Sequence, residues 1–188
     1  MFPNWDGELL LFFQKLTQHP ILDKFFTFYT SLGNRGYLWI AVGILLIVYQ
    51  KTRKTGILLL ISLLLTHLIN NYFLKFLIER PRPYEVLEGV RLVIGKVAET
   101  SFPSGHSATA FGSAFVIFLR ERGWLRWTAI SLAVLMAFSR LYVGVHYPLD
   151  VLAGSIIGIM IASLVVYVEK KLVKSSSRRR RRKKSSKK

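Results

Sequence analysis

The chain has 188 residues, 52% of them hydrophobic, a mean hydropathy of +0.36 and a formal net charge of +17. This apolar composition is unusual for a water-soluble domain and is typical of a helical bundle in a lipid bilayer. Residues 170–188 carry twelve Lys or Arg and no acid, so only +5 of the charge belongs to the rest of the chain. The charge therefore indicates a basic terminal segment rather than a nucleic-acid-binding fold. Cysteine is absent, which excludes disulfides and thiolate metal sites.

Residues 1–33 precede the first clear apolar span. They lack the basic start of a cleaved signal peptide. The apolar positions of the second half follow helical spacing, at Leu22, Phe25, Phe26, Tyr29 and Leu32. Because Asp23 and Lys24 are costly to insert into lipid, we predict that residues 1–33 form amphipathic helices in the outer interface. The alternative is a sixth span that begins near Leu9.

Four long apolar stretches follow, at 37–49, 56–78, 104–119 and 127–168. The last stretch is interrupted at Pro148, and proline lacks the N–H that a helix interior requires, so we divide it in two. Each half then has about the 20 residues that cross a hydrocarbon core. The predicted fold class is all-α, a polytopic membrane helix bundle with about five transmembrane helices plus N-terminal interfacial helices. The transmembrane domain covers residues 34–172, and a disordered basic tail covers 173–188.

Basic residues in short loops predict the orientation, since Lys and Arg near helix ends favour the cytoplasm. One basic loop contains Lys51, Arg53 and Lys54, and another contains Arg120, Arg122 and Arg126. Both loops lie on the same side of the membrane if the helices alternate in direction. The tail lies on the same side, where we expect it to contact anionic lipid headgroups. The loop 84–102 then faces outside and is long enough to cover a substrate site.

Three polar blocks lie at the outer ends of the apolar stretches. The first contains Lys75 and, after six residues, Arg82-Pro83. A single Lys at a helix end usually extends to water, and a single Arg in a loop is usually solvated. Together the two could clamp one phosphate, with Arg82 as a bidentate fork and Lys75 as a point charge.

The second block, Pro103-Ser104-Gly105-His106, immediately precedes an apolar helix. Free N–H groups and the helix dipole make such a start an anion site, and Gly105 permits close backbone approach. A plain Ser104 cap is the alternative. A cap does not need His106, which is suited to protonate a leaving oxygen.

The third block contains Ser139-Arg140, His146 and Asp150. The i, i+4 spacing would place His146 and Asp150 on one helix face, so that Asp150 fixes the imidazole tautomer and leaves the other nitrogen as a nucleophile. A structural His–Asp pair is the alternative, but it leaves Arg140 without a partner in apolar sequence. Because three cations accompany the histidines and would repel a divalent ion, we predict no metal.

The three blocks together resemble the signature of the type 2 phosphatidic acid phosphatase family. The resemblance covers about residues 56–170 and implies a lipid phosphatase of the bacterial cytoplasmic membrane without cofactors. The basic loops predict that its active site lies outside and its C-terminus inside. The resemblance also implies that His146 attacks phosphorus, His106 acts as acid and then base, and Asp150 orients His146. It assigns the phosphoryl oxygens to Lys75, Arg82, Ser104, Gly105 and Arg140.

The resemblance leaves several substrates open; among those of similar bacterial members, undecaprenyl diphosphate fits the small size, the outward-facing blocks and the single short outer loop best. Phosphatidylglycerophosphate and phosphatidate are alternatives, as is a non-catalytic lipid-binding protein. A vanadium-dependent haloperoxidase shares the motif but is a soluble protein, and no nucleic-acid partner is expected.

Overall fold

The structure is a computed structural model that describes residues 2–185, without the side chains of Asn71 and 176–185. Over these residues all regular structure is helical. The elements are α1 Trp5–Thr17, α2 Pro20–Leu32, a 3₁₀ turn Asn34–Gly36, α3 Tyr37–Val48, α4 Arg53–Leu68, a π-helical segment Ile69–Leu74, α5 Lys75–Leu77, α6 Pro83–Val86, α7 Gly105–Arg120, α8 Trp124–Tyr142 and α9 Pro148–Ser185. The predicted break of the last apolar stretch is confirmed, since α9 begins at Pro148.

Helix α7 is the centre of the bundle and packs against α4, α8 and α9, while α3 packs on α4. Its buried face is made of small residues, including Ala108, Ala110 and Ala114, which are fully buried. On α9, a Cβ at Gly154 would lie 2.4 Å from the Ser104 carbonyl oxygen, and one at Gly158 would lie 2.2 Å from that of Ala108. The two backbones therefore approach as closely as glycine allows, as is common between membrane helices.

Two helical segments are long and apolar enough to cross a membrane, Arg53–Leu77 and Pro148–Ser175. The pair Pro20–Leu32 and Asn34–Val48, bent by 55°, would be a third if it is one broken span; it could equally be a re-entrant loop. Helix α7 has 16 residues and α8 has 19, and neither is among the helices long and apolar enough to cross a membrane. The predicted helices are present, but the number of five spans stays a prediction.

The N-terminal helices pack on the same end of the bundle as the three sequence blocks. On α2, Phe26 and Tyr29 are buried, and the Tyr29 hydroxyl donates to the Leu132 carbonyl of α8 at 2.8 Å. On α1, the buried Gln14 side chain donates to the Tyr142 carbonyl at 3.1 Å and to that of Arg91 at 2.9 Å. The predicted boundary at residue 33 coincides with the bend between α2 and α3, and the interfacial location of this segment stays a prediction.

Helix α9 continues to Ser185, which differs from the disordered tail that the sequence predicted over 173–188. The physical reason lies in the composition, since no Gly or Pro follows Gly158 and Lys and Arg are good helix formers. Residues 186–188 lie outside the described part of the chain.

The contact between α7 and α9 generates a prediction for Gly158→Ala. Alanine favours a helix, but its methyl group would meet the Ala108 carbonyl oxygen at 2.2 Å, and a backbone atom cannot rotate away. We expect a loss of about 1–3 kcal/mol, seen as a lower thermal midpoint in detergent.

The control is Gly95→Ala, where a methyl group meets nothing within 4 Å. A Gly158→Ala midpoint equal to that of the control would contradict the close helix contact.

Candidate active site

A cavity of about 350 Å³ lies at the end of the bundle where α4 ends and α7 begins. Its lining includes four cations, Arg35, Lys75, Arg82 and Arg140, three histidines, His67, His106 and His146, and the acid Glu99, together with Gly105. Six of the predicted site residues therefore meet in one cavity although the sequence separates them widely. Ser104 and Asp150 lie behind this lining, and both are fully buried.

Lys75 reaches the cavity from the end of a π-helical segment. Such wide turns are rare and occur mainly at functional sites, because they change the direction in which the following residues point. The Lys75 ammonium forms a hydrogen-bonded ion pair with Glu99 from the loop. This pair holds the pKa of Glu99 below its usual range, so Glu99 is a carboxylate at neutral pH. An incoming anion would compete with Glu99 for Lys75.

Arg82 is buried and is held by backbone oxygens. Its Nε donates to the Glu99 carbonyl at 2.7 Å, and its Nη1 donates to the Val145 carbonyl at 2.8 Å. The same Nη1 lies 3.4 Å from Nε2 of His146. A phosphoryl group bound to His146 would therefore lie within reach of the Arg82 guanidinium.

The start of α7 opens onto the cavity. The Ser104 hydroxyl accepts hydrogen bonds from the Ser107 hydroxyl at 2.9 Å and from the Ser107 N–H at 3.4 Å, so it caps the helix. Gly105 and His106 follow in the first turn and line the cavity, where the helix dipole favours negative charge. The His106 Nε2 lies 3.1 Å from the Asn34 side-chain oxygen.

Arg140 is 3% exposed and reaches the cavity from the last turn of α8. Its Nη1 donates to the Thr30 hydroxyl at 2.5 Å. Its Nε is buried and has no hydrogen-bond partner among the described residues. A buried donor without an acceptor is costly, and the charge of this buried guanidinium beside the cavity would be offset by an anion.

His146 and Asp150 flank the start of α9. Nδ1 of His146 lies 3.6 Å from Oδ2 of Asp150, slightly beyond hydrogen-bond distance. The Ser101 hydroxyl lies between them, 2.5 Å from that Oδ2 and 3.5 Å from Nδ1. The same Asp150 oxygen accepts the Tyr147 N–H at 2.9 Å and so caps the helix start. Asp150 therefore faces the imidazole from a fixed position, and Ser101, which the sequence did not single out, joins the pair.

His146 is neutral in this site. Burial lowers its pKa to about 3; Arg140 and Arg82 act in the same direction, and Asp150 opposes them. A neutral imidazole whose Nδ1 faces Ser101 and Asp150 presents Nε2 to the cavity. This is the form that a nucleophilic imidazole requires.

A second ion pair behind the cavity involves Arg80, which the sequence reading missed. Its Nη1 donates to Oδ1 of Asp150 at 2.6 Å and its Nη2 donates to Oδ2 of Asp6 at 2.7 Å, with all three residues buried. The guanidinium carbon lies 3.8 Å and 3.6 Å from the ring centroids of Phe2 and Tyr147. Asp6 and Arg80 are 74 positions apart, so no local pattern pairs them. The sequence offered one indication of the contact, an acid at position 6 in an apolar segment.

The comparisons with known proteins agree with this geometry. The family model described as "PAP2 superfamily" matches residues 55–174. The chain belongs to the PAP2 superfamily. A relative named undecaprenyl-diphosphatase, from Sulfolobus acidocaldarius, is 36% identical over 152 residues, which cover 81% of this chain and 73% of the relative.

Two solved PAP2 structures share the fold. The crystal structure of Aquifex aeolicus LpxE superimposes with a TM-score of 0.76 at 33% identity, covering 85% of this chain and 93% of that chain. A transmembrane PAP2-type phosphatidylglycerolphosphate phosphatase from Bacillus subtilis has a TM-score of 0.71 at 29% identity, covering 88% and 85%. The predicted all-helical membrane fold and the family resemblance are confirmed. This PAP2 protein is a multi-pass membrane lipid phosphatase.

The buried ion network of this PAP2 protein gives a prediction for Arg80→Ala. The substitution leaves Asp6 and Asp150 buried without a counter-charge, and breaking a buried pair in this way costs about 3–5 kcal/mol. We expect a matching fall in the free energy of unfolding, measured in detergent by chemical denaturation.

Arg91→Ala is the control, because the ion pair of Arg91 with Asp23 is partly exposed and such pairs contribute under about 1 kcal/mol. If both variants lose the same stability, the buried network does not support the site.

The environment of His146 gives a second prediction. Because burial holds its pKa near 3, its imidazole should stay neutral when the pH is lowered from 8 to 5. The measurement is the imidazole ¹H–¹³C signal of the substrate-free protein in micelles, assigned by its loss in His146→Ala. A titration of that signal with a midpoint near the ordinary value of about 6.5 would contradict the buried environment.

Proposed function

We propose that this PAP2 protein hydrolyses a lipid diphosphate at the extracytoplasmic face of the membrane, with undecaprenyl diphosphate as substrate and undecaprenyl phosphate as product. The observation that carries the proposal is the cavity in which cations surround the Nε2 face of a neutral His146. The relative named undecaprenyl-diphosphatase supports the substrate. The location of the basic loops at the opposite end of the bundle supports the orientation.

In the proposed mechanism, Nε2 of His146 attacks the terminal phosphorus. The bond from this phosphorus to the bridging oxygen breaks, and His106 gives a proton to that leaving oxygen. His106 then takes a proton from water, which attacks the phosphohistidine and releases inorganic phosphate with His146 restored. The net reaction consumes one lipid diphosphate and one water.

The cations stabilise charge on the transferring phosphoryl group. We propose that Lys75, Arg82 and Arg140 bind its oxygens together with the Gly105 N–H, where water is largely excluded and such interactions are strong. Ser104 contributes by fixing the start of α7. Asp150, with Ser101, orients the imidazole of His146.

We further propose that the reaction needs no divalent metal. The positive charge that a metal would supply is already present in the cavity lining, and the same cations would oppose metal binding. We also propose that the basic end of α9 contacts anionic lipid headgroups on the cytoplasmic side.

A second candidate substrate is phosphatidylglycerophosphate. It is favoured by the structural match to a Bacillus subtilis phosphatase that is named for this lipid. A panel of lipid monophosphates and diphosphates, assayed with one purified preparation in excess chelator, distinguishes the two by relative kcat/KM.

The central prediction concerns the phosphohistidine. The wild type, mixed with substrate labelled with ³²P at the terminal phosphate and quenched in alkali, should retain an acid-labile label on the protein. His146→Ala should retain none and should lose turnover by about 10³-fold or more, since it lacks the nucleophile.

The control is His19→Gln, at an exposed histidine that does not line the cavity, and it should keep turnover within about twofold of the wild type. Label or full turnover in His146→Ala would overturn the mechanism.

A further inference from the structure

Arg35 has an unusual backbone conformation at the edge of the cavity. It lies in the 3₁₀ turn between α2 and α3 with φ 51° and ψ 14°, in the left-handed region that favours glycine. The next residue, Gly36, has φ 77° and adopts the same region without steric cost. A non-glycine residue kept in this region is a reason to look for a function of its side chain.

The Arg35 side chain is exposed and lines the cavity. Among the described side chains and backbone atoms, none forms a hydrogen bond or ion pair with its guanidinium. The other three cavity cations are engaged: Lys75 with Glu99, Arg82 with carbonyl oxygens and Arg140 with Thr30. The proposed function assigns these three cations to the terminal phosphoryl group beside His146. Arg35 has no part in that assignment.

The position of Arg35 indicates what it would bind. It lines both the cavity and an adjoining groove of about 500 Å³ whose apolar wall is formed by Ile40, Leu60, Leu63 and Leu64. A lipid with its terminal phosphate at His146 and its chain in this groove must pass Arg35. In a lipid diphosphate, the group at this point is the inner phosphate.

The same turn adjoins the proposed acid. The Asn34 side-chain oxygen lies 3.1 Å from Nε2 of His106, so the residue next to Arg35 in sequence touches the group that would protonate the leaving oxygen. In a diphosphate, that leaving oxygen belongs to the inner phosphate. Charge therefore develops beside Arg35 when the bond to the terminal phosphorus breaks.

We propose that Arg35 binds the inner phosphate of a lipid diphosphate and makes the enzyme select diphosphates over monophosphates, an inference that rests on the proposed function. The planar guanidinium can form two hydrogen bonds to one phosphate group. In a monophosphate, an uncharged part of the lipid lies at this point, and it offers no phosphate oxygen for Arg35 to bind.

The test compares farnesyl diphosphate with farnesyl monophosphate, which share one chain. Arg35→Gln keeps a long polar side chain without charge, and Arg35→Gly removes the side chain from a backbone that favours glycine. Both variants should lower kcat/KM for the diphosphate by about 10- to 100-fold, as expected for loss of a charged hydrogen bond. Both should keep kcat/KM for the monophosphate within about twofold, and Arg35→Gly should not lower the thermal midpoint.

Lys96→Gln is the matched control, because it removes one exposed positive charge of the outer loop that does not line the cavity. It should leave the ratio of the two kcat/KM values unchanged. An equal loss for both substrates, no loss for either, or the same change in Lys96→Gln would overturn the proposal.

A binding measurement separates this proposal from the proposed catalysis. In the His146→Ala background, Arg35→Gln should weaken binding of methylenediphosphonate about 10-fold or more and leave that of inorganic phosphate unchanged. If the wild type hydrolyses neither substrate, the proposed function fails while this measurement still decides the role of Arg35. Equal weakening of both ligands, or of neither, contradicts that role.

Discussion

The arrangement of the catalytic end depends on one buried cation, Arg80, held between the carboxylates of Asp6 and Asp150. Burial of charge is expensive, and an arginine between two acids is tolerated only because each partner is fully hydrogen-bonded in place. The Leu149 N–H also donates to Asp6, at 2.9 Å. The N-terminal helix, the segment before Arg82 and the start of α9 are thereby joined at one point, directly behind the His146 imidazole.

The contact between α7 and α9 supplies the second constraint. Gly154 and Gly158 bring the two backbones together, and the Ser104 N–H donates to the Asp150 carbonyl at 3.0 Å. The start of α7, with His106, is therefore fixed relative to the start of α9 and the His146 that precedes it. Neither helix could shift without separating the proposed acid from the proposed nucleophile.

The cavity concentrates like charges, and the protein reduces their repulsion in specific ways. Glu99 neutralises Lys75, carbonyl oxygens hold Arg82, and Thr30 binds Arg140. The buried Nε of Arg140 has no partner within the described residues, and the Arg35 guanidinium is open to the cavity. An anionic substrate in this cavity would offset the positive charges, so part of the cost of assembling the cations would be recovered on binding.

The sequence by itself determined the membrane-helical fold class, the break at Pro148 and the residue types of the three blocks, because hydropathy, proline and short motifs are local properties. The sequence also singled out six residues that line the cavity, five of them titratable groups at the edges of apolar stretches, where such a group needs a partner or a ligand. Only the tertiary structure decided that Ser101 lies between His146 and Asp150 and that Arg80 binds Asp6. These contacts join residues 49 and 74 positions apart, and their partners depend on how the helices pack. The same holds for Arg35, whose backbone conformation and place beside the groove no local pattern specifies.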